Sequence, residues 1–213
     1  MFTGIIQELG LVERVQRSRA IDRLTIDAPK TAARVGAGES VAINGACLTV
    51  VRVHEGRFTF EMIPQTRRLT NLGALAAGAR VNVEPSLTLA DRLGGHLVLG
   101  HVDGLATVSR RARVAAGEAL EVRVPRTLGR YLVLHGPIAL DGVSLTVGDK
   151  PAPTRCVVYL IPETRARTTL ALRRAGDVVN LEVDYFAKLV MAVTPRNRHA
   201  AIDWGKRVGL EAW

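Results

Sequence analysis

Residues 94–104 read Gly94-Gly95-His96-Leu97-Val98-Leu99-Gly100-His101-Val102-Asp103-Gly104, two histidines and four glycines in eleven positions. Imidazoles exchange protons near neutral pH, and glycine lets backbone approach a ligand closely. Two histidines five positions apart with no cysteine nearby are poor zinc-ligand spacing, so the segment points to proton transfer, with metal chemistry the weaker reading. A second group lies at Cys47 and Thr49, just after the dipeptide Asn44-Gly45, and at Ser144 and Thr146, just after Asp141-Gly142. Side chains at alternate positions of a strand share one face. Each pair therefore offers a thiol or hydroxyl beside a second hydroxyl, a surface able to hydrogen-bond a polar heterocycle.

These groups recur because the chain repeats itself. Asn44-Gly45-Ala46-Cys47-Leu48-Thr49-Val50 returns 97 residues on as Asp141-Gly142-Val143-Ser144-Leu145-Thr146-Val147, and the block from Pro64 to Leu72 returns as Pro162 to Leu170. Gly78 with Val81-Asn82-Val83-Glu84 matches Gly176 with Val179-Asn180-Leu181-Glu182, and the opening Gly4-Ile5-Ile6 matches Gly100-His101-Val102. So long a period means two homologous domains rather than a solenoid. The copies differ in acid–base groups: Ile5 against His101, Cys47 against Ser144, Asn44 against Asp141, Gln65 against Glu163. Two similar pockets with unequal chemistry suit a reaction in which two copies of one molecule play different parts.

The elements that must position these residues are short β-branched runs: 24–26, 40–43, 47–53, 57–61 and 80–84, then 119–124, 137–140, 144–147, 156–161 and 178–183. Asn-Gly and Asp-Gly between apolar strands are strong hairpin signals. Many short strands in about 90 residues predict a small closed barrel per repeat. Helix is expected only at 66–72, 164–170, 126–131 and 185–193, the last ending before Pro195. The expected domains are 1–95, 96–186 and a helix with tail at 187–213.

Composition bounds the setting. The 213 residues are 47% hydrophobic and 23% charged, the balance of an ordinary globular protein. No apolar run approaches a membrane span, and the N-terminus has no secretory signal, so a cytoplasmic protein is expected. Cys47 and Cys156 fall at non-equivalent places in the repeats, which favours thiols over a disulfide. The net charge of +9 comes from dispersed arginines, and aromatics are only 4%, which argues against nucleic-acid binding. The basic tail with Arg196, Arg198, Lys206 and Arg207 is the local exception.

Over residues 1 to about 190 the chain resembles the riboflavin synthase α-subunit family. The resemblance rests on the opening Met-Phe-Thr-Gly-Ile, the stretch from Ser40 to Val50, and Thr70-Asn-Leu-Gly73. It continues through Gly94-Gly-His-Leu-Val98 with Gly100-His-Val-Asp-Gly104, the stretch from Asp141 to Val147, and Leu181-Glu-Val-Asp184. It implies an all-β fold of two homologous six-stranded Greek-key barrels plus a C-terminal helix that supports a homotrimer. Active sites would form where the first barrel of one subunit faces the second barrel of another.

The reaction so implied is a dismutation of 6,7-dimethyl-8-ribityllumazine, two molecules per site. One donates a four-carbon unit to the other, giving riboflavin and 5-amino-6-ribitylaminouracil, with no redox cofactor or metal and with a lumazine synthase as a candidate supplier. Carried over by motif, Ser40, Cys47 and Thr49 line the first pocket with Phe2, Gly4, Ile5 and Ile6 at its entrance. Ser144 and Thr146 line the second with Gly100, His101, Val102, Ile161, Pro162, Glu163 and Thr164. Leu48, Glu61, Met62, Ile63, Pro64, Gln65, Thr66, His135 and Leu145 complete the substrate-binding set. The expected roles are proton transfer for His101, orientation or proton acceptance for Asp184, and handling of the electrophilic carbon for Cys47 or Ser40.

The chain departs from the family pattern in several places, among them Leu99 at a position often polar in relatives. His135-Gly136-Pro137-Ile138 stands where Lys-Gly-Ser-Ile is usual, Gln65-Thr66 where Glu-Thr is usual, and 195–213, with Trp204 and Trp213, extends past the usual helix. A lysine is thus replaced by a group that titrates near neutrality. Two other readings compete with the enzyme: a lumazine- or flavin-binding paralogue that does not turn its ligand over, and a basic interaction protein recruited through the tail.

Overall fold

In the computed structural model, which describes residues 1–115 and 117–194, each repeat closes into a six-stranded barrel. The first uses β1 (Glu8–Gln16), β2 (Asp22–Asp27), β3 (Ser40–Ile43), β4 (Ala46–His54), β5 (Arg57–Met62) and β6 (Arg80–Pro85). The second uses β7 (Gly104–Val114), β8 (Gly117–Arg123), β9 (Pro137–Leu140), β10 (Val143–Ala152), β11 (Arg155–Leu160) and β12 (Val178–Val183). Around the first barrel the order is β1-β2-β5-β4-β3-β6, and the second repeats it strand for strand. All pairings are antiparallel, and the β2–β5 and β3–β6 neighbours make the path a Greek key.

Alternation explains the closure. In β2 the residues Asp22, Leu24 and Ile26 point inward, and in β5 Phe58, Phe60 and Met62 do so. Register shifts fall at Val12/Arg14 and Val50/Arg52, and again at Val108/Arg110 and Val147/Asp149. Such bulges add local twist, which helps six short strands bend into a barrel. The dipeptides Asn44-Gly45 and Asp141-Gly142 have positive φ at both positions, 45° and 77°, then 46° and 77°. That is the turn whose twist matches a hairpin.

The expected strands at 40–43, 137–140 and 178–183 coincide with β3, β9 and β12. The leading strands β1 and β7 were not among the expected runs. Charged residues interrupt both, Glu8, Glu13 and Arg14 in β1 and Arg110, Arg111 and Arg113 in β7, and leave little apolar alternation to read. Helix is sparse: α1 (Pro29–Ala32), α2 (Pro64–Leu69), α3 (Pro162–Arg167) and α4 (Tyr185–Val193). The helices expected at 66–72 and 164–170 prove to be α2 and α3, each followed by a separate 3-10 turn, Asn71–Ala74 and Thr169–Leu172. Where a helix was expected at 126–131, only Gly129–Tyr131 is helical, as a 3-10 turn. No described helix is long and apolar enough to cross a membrane. The tail from Pro195, with its tryptophans and basic residues, lies outside the described residues.

The barrels meet turn to turn. The space beside each turn glycine is filled by the other: a Cβ on Gly45 would lie 2.5 Å from the Gly142 nitrogen, and one on Gly142 2.6 Å from the Gly45 nitrogen. Asparagines lock this contact reciprocally. Asn82 Nδ2 donates to the Asp141 carbonyl (2.8 Å), and Asn180 Nδ2 donates to the Asn44 carbonyl (2.7 Å). The repeats differ within this contact: Asp141 is fully buried and paired with Arg173 (2.6 Å), whereas Asn44 occupies the equivalent place in the first copy. The Asp141 carboxylate therefore stitches the barrels together and is not placed for acid–base chemistry on a ligand.

Candidate active site

The two pocket walls are built from exchanged segments. The nitrogen of Cys47 in β4 donates to the Gly100 carbonyl (2.9 Å), and that of Ser144 in β10 donates to the Gly4 carbonyl (2.7 Å). Residues 99–102 thus lie on the first barrel and residues 3–6 on the second. The expectation had grouped Gly4, Ile5 and Ile6 with Cys47, and Gly100, His101 and Val102 with Ser144. The structure crosses them. Because the two segments are copies of one motif, their sequence does not say which barrel each leans on.

Glycine is needed at both contacts. Gly4 and Gly100 have φ of 74° and 77°, and a Cβ on either would come within 2.7 Å of the Cβ of Ser144 or Cys47, respectively. Each segment is pinned by a carboxylate at the end of a barrel strand. Glu84 accepts from the Thr3 amide (2.7 Å), the Thr3 hydroxyl (2.7 Å) and the Gly4 amide (3.0 Å). Glu182 accepts from the amides of Leu99 (2.7 Å) and Gly100 (3.0 Å). Neither glutamate was among the expected site residues. The available signal was an acid repeated two positions after an asparagine in both copies, Asn82 with Glu84 and Asn180 with Glu182.

Burial pushes both carboxyls up, Glu182 to about 7, against the amide bonds and the nearby Lys188 charge, which favour ionisation. In the native state Glu182 therefore keeps a proton that the unfolded chain, at its usual 4.5, gives up. Stability falls as pH rises from 4.5 towards 7, by at most about 3 kcal/mol from this group. Glu84 and Asp141, also raised, act in the same direction. We expect Glu182→Gln to flatten part of this slope in urea titrations repeated across that pH range; an unchanged slope would refute the assignment.

The first pocket is a concavity of about 290 Å³ lined by Cys47, Ile63, Gln65 and Thr66 together with Gly100, His101 and Val102. Thr49 is exposed on the face of β4 that carries Cys47, and Ser40 is its cross-strand neighbour in β3. The second copy has Ser144 and exposed Thr146, with Ile161, Pro162, Glu163 and Thr164 opening α3. Paired arginines seat the two short helices: Arg17 and Arg67 converge on Asp22 (3.0 and 3.1 Å), and Arg111 and Arg165 on Glu118.

Several expected contacts lie elsewhere. Leu48, Met62, Leu145 and Ile6 belong to the barrel cores. Phe2 is fully buried with Ala42, Val98 and Ala139 between the barrels, and its backbone pairs with Val98. Glu61 forms an outward cross-strand pair with Arg23 (3.0 Å). Both Asp184 oxygens cap α4 by accepting from the amides of Phe186 and Ala187. His135 is exposed in the turn two residues before β9 with φ of 62°, and Pro137 occupies the register position that Ser40 holds in the first copy. Among the described residues no cluster of three or more His, Cys, Asp or Glu is placed to hold a metal.

The family model described as the lumazine binding domain matches the chain twice, at residues 3–86 and 99–184. The riboflavin synthase of Mycobacterium tuberculosis (strain ATCC 25618 / H37Rv) is 45% identical over 195 residues, spanning 89% of this chain and 96% of that protein. The chain belongs to the riboflavin synthase family. Its similarity to the riboflavin synthase of Escherichia coli (strain K12), 35% over 214 residues, spans the whole of both chains. Among solved structures, LumP complexed with riboflavin superposes with a TM-score of 0.80 at 25% identity, over 86% of this chain and all of that one. LumP complexed with 6,7-dimethyl-8-(1'-D-ribityl) lumazine gives 0.78 at 24%. In this riboflavin synthase fold, the two matched units are the two barrels, each with its leading segment.

Proposed function

We propose that this chain converts two molecules of 6,7-dimethyl-8-ribityllumazine into riboflavin and 5-amino-6-ribitylaminouracil by four-carbon transfer, without an external redox cofactor. The observation that carries the reading is the pair of matched walls with unequal chemistry, Cys47 beside the segment of His101 and Ser144 beside the segment of Ile5. Each barrel holds one lumazine. The donor and acceptor roles then differ because the walls differ.

Holding two heterocycles face to face supplies roughly 7–11 kcal/mol of the barrier reduction, and acid–base help adds about 10²–10⁴-fold. His101 takes the role of proton carrier at the first pocket, with Cys47, Ser40 and Thr49 contacting the ring. For two pockets to face each other a second copy must be present. The helix α4 supports this, since none of its residues is buried and Phe186, Val190 and Val193 stand exposed. We assign the assembly as the homotrimer the resemblance implies, the units as 1–95, 96–186 and 187–213, and the setting as the cytoplasm.

The test is anaerobic incubation of the purified protein with the lumazine alone, followed by chromatography. One riboflavin per two lumazines consumed is expected. Tight binding without riboflavin would overturn the reading and leave a carrier. His101→Ala should lower turnover by about 100-fold while lumazine binding survives; unchanged turnover would remove His101 from the mechanism.

A further inference from the structure

The second pocket contains a histidine contact with no part in the roles assigned so far. His96 Nδ1 lies 2.7 Å from Ser144 Oγ. The geometry around this contact is tightly held. The His96 amide donates to the Thr3 carbonyl (3.1 Å), which fixes the backbone on the segment that Glu84 pins. Gly95, one residue earlier, sits where a Cβ would lie 2.2 Å from the Thr3 carbonyl oxygen and 2.8 Å from Ser144 Oγ. No larger residue fits there without displacing the serine.

We propose that His96 is a positioning residue that acts through Ser144, holding the proton removed from the lumazine bound at the second barrel. This rests on the proposed lumazine chemistry and deepens it by assigning the proton-accepting pair of that pocket. The C–H bond of the ring's acidic methyl breaks as its proton passes to Ser144 Oγ. The serine's own proton passes at the same time to His96 Nδ1, and the electron pair left behind spreads into the heterocycle. The positive charge then rests on the imidazole, and reprotonation of carbon reverses the path. No oxidant or further reactant is required.

Three features of the surroundings suit this role. Burial lowers the imidazole's affinity for a proton, so His96 is neutral at pH 7 and Nδ1 can accept. The Asp184 charge acts the other way and favours the imidazolium once it forms. Ser144 is half-buried on the face of β10 that carries exposed Thr146, the counterpart of the Cys47 and Thr49 face in the first copy. The groups facing His96 are Ser144 from β10, the Thr3 backbone from the N-terminal segment, and Asp184 at the start of α4. The corresponding wall residue of the first pocket is Cys47, and the histidine there, His101, is exposed. The pair thus gives the second barrel a proton path of its own.

The experiment follows deuterium uptake into the lumazine methyl groups by NMR in D2O, alongside riboflavin formation and ligand affinity. Wild type, His96→Gln, Ser144→Ala and the double variant are compared from pH 5 to 8. We expect His96→Gln to slow both exchange and turnover by about 100-fold, with lumazine affinity changed less than about threefold. The double variant should be no slower than Ser144→Ala alone, since the two groups act as one unit. The wild-type fall in rate at acid pH, where His96 is protonated, should vanish in His96→Gln. Exchange by His96→Gln within about threefold of wild type at every pH, or fully additive effects in the double variant, would overturn the proposal. If His96→Gln fails to fold, Ser144→Ala decides alone: a wild-type rate with an intact acid limb refutes the pair. A wild type that neither exchanges nor turns over would instead count against the lumazine reading itself.

Discussion

Arg173→Ala is expected to destabilise the protein by about 3–5 kcal/mol, the loss typical of stripping the partner from a buried charge. Its guanidinium donates through Nε (3.0 Å) and Nη2 (2.6 Å) to Asp141 Oδ2, while the other oxygen, Oδ1, accepts from Asn71 Nδ2 (2.7 Å) and the Asn180 amide (2.8 Å). Asp141 is fully buried. Burial pushes its carboxyl up, and the Arg173 charge is the largest influence holding it down. Without the arginine an uncompensated charge remains between the barrels, or the group takes up a proton and gives up its place as a pure acceptor. Denaturant titration at pH 7 reads the loss. Asp141→Asn combined with Arg173→Ala should recover most of it, because the first copy already places Asn44 at this position. A single variant within about 1 kcal/mol of wild type would show that the pair does not hold the interface.

The second large effect is on activity. Gly100→Ala should cut riboflavin formation by about 100-fold or more, the loss that a displacement near 1 Å causes in a positioned site. An alanine Cβ would meet the Cys47 Cβ at 2.7 Å, the Phe2 ring at 2.9 Å and the Cys47 nitrogen at 3.0 Å, with φ at 77° adding strain. These neighbours are backbone and buried aromatic, so residues 99–102 must lift away and carry His101 out of register with the wall. The mirror substitution Gly4→Ala, which would meet Ser144 at 2.7 Å, should damage the second pocket in the same way. Steady-state turnover beside ligand titration checks both; near-normal turnover of Gly100→Ala would mean that this contact does not set the geometry.

Much of the fold could be read from the sequence because the hairpin dipeptides and β-branched runs are local signals that recur. The strands β3, β9 and β12 and the helix α4 were expected at the residues where they occur. The leading strands β1 and β7 were not, since adjacent charged residues, Glu13-Arg14 in the one and Arg110-Arg111 in the other, break a clean period of two. Of the walls, Cys47 with Thr49 and Ser144 with Thr146 were legible from their spacing after the turn. The partner of each wall was not legible. That depends on which barrel a glycine-rich segment leans against, and Gly4 and Gly100 satisfy the repeat equally well in either arrangement. His96 was visible as a histidine beside glycines, but only its approach to Ser144 gives it a task.

The crossing of the two leading segments also bears on the order in which the molecule comes to exist. All six strands of the first barrel have been made by Pro85. Its pocket wall, however, arrives only with residues 99–102, and residues 3–6, already held at Thr3 and Gly4 by Glu84, meet the wall they complete only once Ser144 has been made. A nascent chain therefore carries a closed first barrel with an open pocket and a waiting N-terminal arm through much of its synthesis. Both walls are completed only when the second barrel closes, so a chain cut short between the repeats has neither site in working form.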